Sequence, residues 1–196
     1  MTEVACGWRR LTGSQRLDPQ MWRIQMHRPA LLLLASLSLA AAAPASTAVT
    51  YQLKGIGGAE VGKVTLTDAP KGVLVHIEVS GLTPGWHAVH FHEKGDCSDA
   101  MFKSAGSHVH MMTPTVHGLL NPDANDLGDL PNLFVAANGS GAAEIFSPFV
   151  AFRASAGRAA LLDTDGSAIV IHAKADDYMT QPIGGAGERI ACAEIR

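Results

Sequence analysis

Residues 85–98, GWHAVHFHEKGDCS, place three histidines within six positions and follow them at once with a charged turn and a cysteine. The run WHAVHFH reads as a β-strand, which sends alternate side chains to opposite faces. Trp86, Ala88, His90 and His92 then share one face, while His87, Val89 and Phe91 share the other. The spacing pairs His90 with His92 and excludes His87. Two imidazoles one residue apart on a strand face can converge on a single metal ion, and imidazole suits copper, zinc, iron and nickel. Two partly exposed strand histidines would give the same short motif, so the pair alone does not decide between them.

Outward from this strand the chain reads as all-β. VTYQLK (49–54), GKVTLTD (62–68), GVLVHIEVS (72–80) and WHAVHFH (86–92) are short runs rich in β-branched and aromatic residues, separated by Gly, Pro, Asp or Ser. LFVAA (133–137), SAIVIHA (167–173) and RIACAEI (189–195) match them, and AAEIFSPF (142–149) is a weaker eighth. Strands at this regularity favour a sandwich or barrel. Residues 94–132 are the exception, with neither strand nor helix periodicity, and a loop of that length inside a compact domain is usually functional. His108, His110 and His117 lie in it with Asp123, Asp126 and Asp129, and His172 follows at the end of SAIVIHA. A loop this long has little hydrophobic reason to fold, and metal coordination supplies one.

The chain has 196 residues, 17% charged and 47% hydrophobic, with a formal net charge of -3, which suits one ordinary globular domain. No Lys/Arg-rich run or basic stripe points to nucleic acid. Residues 26–47, MHRPALLLLASLSLAAAAPAST, have a short basic start, an apolar run and small residues, the pattern of a secretory signal peptide with Ala43-Pro44-Ala45 as cleavage signal. The apolar stretch from Ala30 to Ala43 is short for a span of roughly 20 residues, so no stable membrane insertion is expected after cleavage. Residues 1–25, with Cys6, Trp8 and Trp22, show no periodic pattern and read as an upstream extension from a start-site artefact, Met26 being the initiator. Export to the periplasm or beyond leaves Cys97 and Cys192 in the mature chain, an even pair that reads as one disulfide in an oxidising compartment.

GWHAVHFHEKGDCS, the later FKSAGSHVH, HGLLNPDANDLGDLPN, VIHAKADDY and GGAGERIACAEI together resemble the successive signatures of the copper/zinc superoxide dismutases in their bacterial exported form. The match covers essentially all of residues 48–196. It implies an eight-stranded Greek-key β-barrel, an immunoglobulin-like sandwich with long metal-binding and electrostatic loops, and the enzyme is itself a standard example of sandwich architecture. Residue by residue, it implies copper ligands His90, His92 and His172, with His108 bridging copper and zinc. His117 and Asp129 match zinc ligands, and Cys97 and Cys192 the disulfide that ties the loop to the last strand. Asp176 resembles the carboxylate that links copper-bound and zinc-bound imidazoles, an orienting role. Arg189 matches the arginine beside copper that receives the superoxide anion.

The residue types suit the chemistry the resemblance implies. Superoxide must give an electron to the metal in one half-cycle and take one in the other, so a histidine-bound copper is alternately reduced and oxidised, yielding oxygen and hydrogen peroxide, beside a structural zinc. A bridging imidazole that leaves copper on reduction can carry the proton, which makes His108 catalytic together with Arg189, whose charge-assisted hydrogen bonds hold the anion. His76 and His87 fit no ligand position and read as structural or surface histidines. Lys94, Lys103 and Lys174 either steer anions or are solvated charges.

Two departures concern the zinc half. Three residues before Asp129, where the family most often has a third zinc histidine, stands Asp126. There is also one extra residue between His108 and His117, and His110 sits where the family more often has asparagine. Asp126 is expected as the remaining zinc ligand, with His110 its competitor. A copper-only dismutase is the alternative within the enzyme class, and a non-catalytic copper-binding or delivery module the alternative outside it. Retention of His172, Arg189 and Asp176 favours the enzyme, because a carrier needs no anion guide. A homodimer is left open.

Overall fold

The computed structural model describes residues 46–155 and 157–196. The upstream extension and all but the last two residues of the expected leader lie outside them. The strands are β1 (Ala48–Gly55), β2 (Glu60–Ala69), β3 (Gly72–Val79), β4 (Gly85–His87), β5 (Val89–His92), β6 (Leu133–Val135), β7 (Gly141–Ser147), β8 (Val150–Ala151), β9 (Ala159–Ala160), β10 (Ser167–His172) and β11 (Arg189–Ile195). All eight runs read from the sequence fall on these elements. The only helical turns among the described residues are 3-10 turns at Ile56–Gly58 and Lys103–Ala105.

Seven strands form one curled antiparallel sheet in the order β5-β10-β11-β1-β2-β3-β7. β7 is joined to β6 by a tight turn in which Ala136 N donates to Ser140 O at 2.8 Å. β6 pairs with β4, and β4 runs on into β5 through Ala88, so the chain passes from one end of the sheet back to the other. β8 and β9 form a short parallel pair that the sequence pattern did not reveal, since two residues are too few to show a period.

Alternation places the core. Val73, Val75, Ile77 and Val79 of β3 are buried on one face, and Val64 and Leu66 of β2 join them. Val89 and Phe91 of β5, Ile169 and Ile171 of β10, and Ala191, Ala193 and Ile195 of β11 complete the same apolar cluster. The opposite face of β5, β10 and β11 is not left to solvent. Ala168, Val170 and Cys192 pack there with Phe102 and Ala105 of the long loop, so this part of the sheet is covered on both sides.

The run 86–92 differs from the single strand expected, because it breaks at Ala88. Ala88 N donates to Lys174 O at 2.8 Å and Ala88 O accepts from His172 N at 2.9 Å, which diverts the backbone toward the segment after β10. Face sharing therefore holds from Ala88 onward but not before it. Trp86 is 57% exposed and meets Phe134 at 5.0 Å between ring centroids, whereas Ala88, His90 and His92 are fully buried. His87 is buried too, with Nδ1 2.7 Å from His172 O and Nε2 2.8 Å from Thr83 O, a structural histidine as expected.

Candidate metal centre

Register brings the histidines together. In the pairing of β10 with β5, Val170 lies opposite His90 and Ala168 opposite His92, so the outward face of β10 that carries Val170 ends beside them at His172. A bulge between Ile171 and His172 then sets His172 opposite Arg189 on β11. Three adjacent strands thus present two imidazoles, a third imidazole and a guanidinium to one covering loop.

That loop is folded onto β5 by main-chain bonds. Glu93 N donates to Ser107 O at 2.9 Å, Val109 N to Phe91 O at 2.9 Å, and Phe91 N to Gly128 O at 2.8 Å. A Cβ on Gly128 would collide with Phe91 O and Val109 N, so the absence of a side chain is what lets this segment lie against the strand. The disulfide expected between Cys97 and Cys192 is present and pins the loop to β11 across 95 residues. The loop delivers His108, His117, Asp126 and Asp129, all buried.

Two clusters result. In the first, His90, His92, His108 and His172 present ring nitrogens within 4.8 Å of one another. His92 Nδ1 lies 3.0 Å from Gly106 O and His172 Nδ1 3.2 Å from Gly187 O. His90 is turned the other way, with Nε2 2.9 Å from Asp176 Oδ2. What remains is one buried nitrogen per ring without a hydrogen-bond partner: His90 Nδ1, His92 Nε2, His108 Nε2 and His172 Nε2. Buried polar atoms are nearly always partnered, and four orphaned lone-pair donors meeting at one point are what a bound metal ion satisfies. Burial holds His90 and His92 below the usual imidazole range, and burial with the neighbouring imidazoles and Arg189 takes His172 down to about 3, which favours the unprotonated, ligating form of these three rings.

In the second cluster the donors are mixed. His108 Nδ1 is 2.7 Å from Asp126 Oδ2 and 3.3 Å from Asp129 Oδ1, and His117 Nδ1 is 2.8 Å from Asp129 Oδ1 and 3.7 Å from Asp126 Oδ2. His108 therefore faces both clusters, Nε2 to the first and Nδ1 to the second. Each carboxylate is aimed by a main-chain donor on its other oxygen: Gly128 N to Asp126 Oδ1 at 2.9 Å, and Gly118 N to Asp129 Oδ2 at 2.8 Å. Burial lowers His108 and His117, but the carboxylates outweigh it, leaving His108 raised and His117 pushed up to about 11. Asp126 and Asp129, raised by burial, are brought below their usual range by the same imidazoles. His90, His108, His117 and Asp129 also have atoms within 4.8 Å of one another. His90 is nonetheless committed elsewhere, its Nε2 to Asp176 and its Nδ1 to the first cluster. His110 joins neither cluster; its Nδ1 is 2.7 Å from His108 O.

Asp176 links the two clusters, with Oδ2 on His90 Nε2 and Oδ1 3.1 Å from His117 Nε2. Sequence reading missed what holds it. Asn132 exchanges two bonds with the Asp176 main chain, receiving Asp176 N at 2.9 Å and donating to Asp176 O at 2.9 Å. Gln181 does the same for His117, accepting from its N at 2.9 Å and donating to its O at 2.8 Å. These amides act across 44 and 64 residues, and no local pattern marks them.

Arg189 stands at the mouth. One terminal nitrogen donates to Phe102 O and the other to Gly106 O, each at 2.6 Å. It shares a cleft of about 290 Å³ with His108, Asp126, Gly106, Ser107, Thr115, Pro182 and Ile183. An anion entering this cleft meets the guanidinium and His108 together.

Comparison with known proteins agrees with this geometry. A family model described as copper/zinc superoxide dismutase matches residues 60–195. A Cu-Zn superoxide dismutase of Caulobacter vibrioides is 62% identical over 147 residues, 75% of this chain and 84% of the relative. One from Aquifex aeolicus is 39% identical over 71% of this chain and 81% of its own. Among solved structures, a superoxide dismutase-like protein from Bacillus subtilis superposes with a TM-score of 0.70 at 35% identity, covering 78% of this chain and 100% of that one. The Cu/Zn superoxide dismutase of Brucella abortus gives 0.62 at 27% identity, covering 76% and 100%.

Proposed function

The chain belongs to the copper/zinc superoxide dismutase family, and we propose that it is an exported enzyme converting two superoxide anions and two protons into oxygen and hydrogen peroxide. The observation that carries this reading is the set of four unpartnered ring nitrogens beside Arg189. Their donor set fits copper, all nitrogen and buried, and the neighbouring His108–His117–Asp129 group fits zinc.

Copper, when bound, supplies two accessible oxidation states, so that one superoxide can lose an electron and the next gain one. The residues do the rest. Main-chain carbonyls fix the tautomers of His92 and His172 and direct Nε2 inward, and Asp176 fixes His90 with Nδ1 inward. His108 Nε2 is the atom at which a proton is held and handed to the reduced product, while Nδ1 stays turned to the second cluster. Arg189 draws the anion into the cleft and orients it, its guanidinium fixed in place by the two carbonyls.

Among the described residues no helix is long and apolar enough to cross a membrane. Residues 26–47 act as a cleaved leader in this reading, residues 48–196 are the enzyme domain, and the site of action is the periplasm or the exterior. Metal analysis of the exported protein together with a dismutation assay tests the proposal. The expected result is copper and zinc bound and superoxide removed at a rate that falls when copper is stripped. Copper bound without dismutation would identify a copper-binding module and overturn the enzyme; dismutation with no zinc at any concentration would identify a copper-only dismutase.

A further inference from the structure

We propose that Asp126 is the fourth donor of the second metal site, so that this chain holds zinc with two imidazoles and two carboxylates. The inference deepens the two-metal reading above and rests on it.

Four atoms converge at that site: His108 Nδ1, His117 Nδ1, Asp126 Oδ2 and Asp129 Oδ1. Their four imidazole-to-carboxylate separations run from 2.7 to 3.7 Å. Ligands about 2.0 to 2.1 Å from a tetrahedral ion stand about 3.3 Å apart, which lies inside that range. Each imidazole is hydrogen-bonded to one carboxylate, His108 to Asp126 and His117 to Asp129, and lies within 3.7 Å of the other, so a single ion can reach all four atoms. Asp126 is buried and rigidly aimed, because its Oδ1 accepts from Gly128 N, two residues on. Gly128 in turn cannot move outward without losing the contact of its carbonyl with Phe91 N. The carboxylate is thus held on the site by the same turn that lays the loop on β5.

The competing donor is excluded by the same geometry. His110 is the residue a sequence comparison offers as a replacement imidazole, but its Nδ1 is bound to His108 O and lies 3.8 Å from Glu93 Oε2. It lines a different cleft, of about 290 Å³, with Glu93, Met111 and Asp163. Asp126 and His110 are bridged through their main chains, so the strand-like pairing holds one at the cluster and the other away from it. Two carboxylates also change the charge of the site. With His108 shared as an imidazolate, the ligands carry three negative charges against two on zinc, and Asp126 lines the cleft through which the anion approaches.

The test is zinc binding by disulfide-intact protein stripped with chelator and then preloaded with one equivalent of copper. Zinc alone is added, and affinity is read by competition with a chromogenic chelator. Wild type should take up one zinc. Asp129→Ala and Asp126→Ala should each weaken it by at least about 100-fold, beyond the 10- to 100-fold typical of residues that only orient a ligand. Asp126→His should restore binding, and His110→Ala should leave it unchanged. Cobalt(II) added instead of zinc gives a visible spectrum that reports donor identity. Its bands should move in Asp126→His, and this comparison stands even if the alanine variant fails to fold. Loss in Asp129→Ala with wild-type affinity in Asp126→Ala, or an unmoved cobalt spectrum in Asp126→His, overturns the role of Asp126 alone. Failure of wild type to bind zinc or cobalt overturns the two-metal reading with it.

Discussion

Asp176 carries two of its bonds to imidazoles that belong to different clusters, and the space for them depends on a residue with no side chain. A Cβ at Gly184 would fall on the Asp176 carboxylate and press on His117 Nε2. Gly185 has nearly the same positive φ, +68° against +61°, but nothing within 4 Å of the Cβ position. Alanine at either site meets the same backbone strain, so any difference between them isolates the collision. Gly184→Ala is expected to release zinc roughly 10- to 100-fold more readily than wild type, whereas Gly185→Ala should lose only a little stability; chelator competition and thermal unfolding of both variants check this. Equal behaviour of the two would show that the Asp176 link does not govern retention. Arg189 is also a matter of single atoms. Its two carbonyl bonds use the planar fork, which lysine lacks. Arg189→Glu should lower the rate at low salt by at least about tenfold and remove its fall with ionic strength, copper content being unchanged. Arg189→Lys should fall between, keeping the charge but at most one of the carbonyl bonds. Stopped-flow rates across a salt series decide it, and an unaltered rate in the glutamate variant would refute the anion role.

At the scale of elements, β11 does three jobs: alternation sends Ala191, Ala193 and Ile195 into the core and Cys192 to the long loop, and the bulge beside His172 turns Arg189 to the mouth. The tie closes 95 residues, which in the chain-entropy account stabilises by about 4 to 5 kcal/mol. Alkylation of the unfolded, unreduced mature protein should label no cysteine, and Cys97→Ser should lower the midpoint of unfolding; label at Cys97 and Cys192 would sink the pairing. Much of this was legible beforehand. β-branched runs and turn residues located every strand but β8 and β9, because the alternation that buries Val73, Val75, Ile77 and Val79 is a local signal. His90 and His92 were paired by the same period. What was not legible depends on long-range contacts. The break at Ala88 follows from its bonds to His172 and Lys174, more than 80 positions away, and Trp86 went to the surface with it. Likewise Asn132 and Gln181 look like ordinary loop amides until the loops meet.

For the molecule as a whole, the two halves of the domain are stabilised by different physics. The sheet from β1 to β3 with β7 is held by ladder bonds and by the apolar cluster it shares with β5, β10 and β11, neither of which needs an ion. The loops spanning 93–132 and 173–188 add a smaller apolar share, Phe102 and Ala105 on the sheet and Val109 and Leu130 in the main cluster. Their polar groups converge instead on the clusters, where four ring nitrogens have no protein partner and two carboxylates face two imidazoles. Without metal, those donors keep only part of their stabilisation, so the loops should be the first part to open. A metal held at 1,000 times its Kd adds about 4 kcal/mol, which for a domain of this size moves Tm by roughly 8 to 16 °C. Chelation should therefore lower Tm by about that amount. Amide hydrogen exchange should rise strongly over residues 106–132 and 174–187 and stay slow in β2 and β3, whose amides are paired on both sides. Exchange that rises equally through the sheet and the loops would show that the ions stabilise the barrel as one unit and that the loops have no separate opening. A Tm unchanged by chelation would show that the clusters do not draw on metal for their stability.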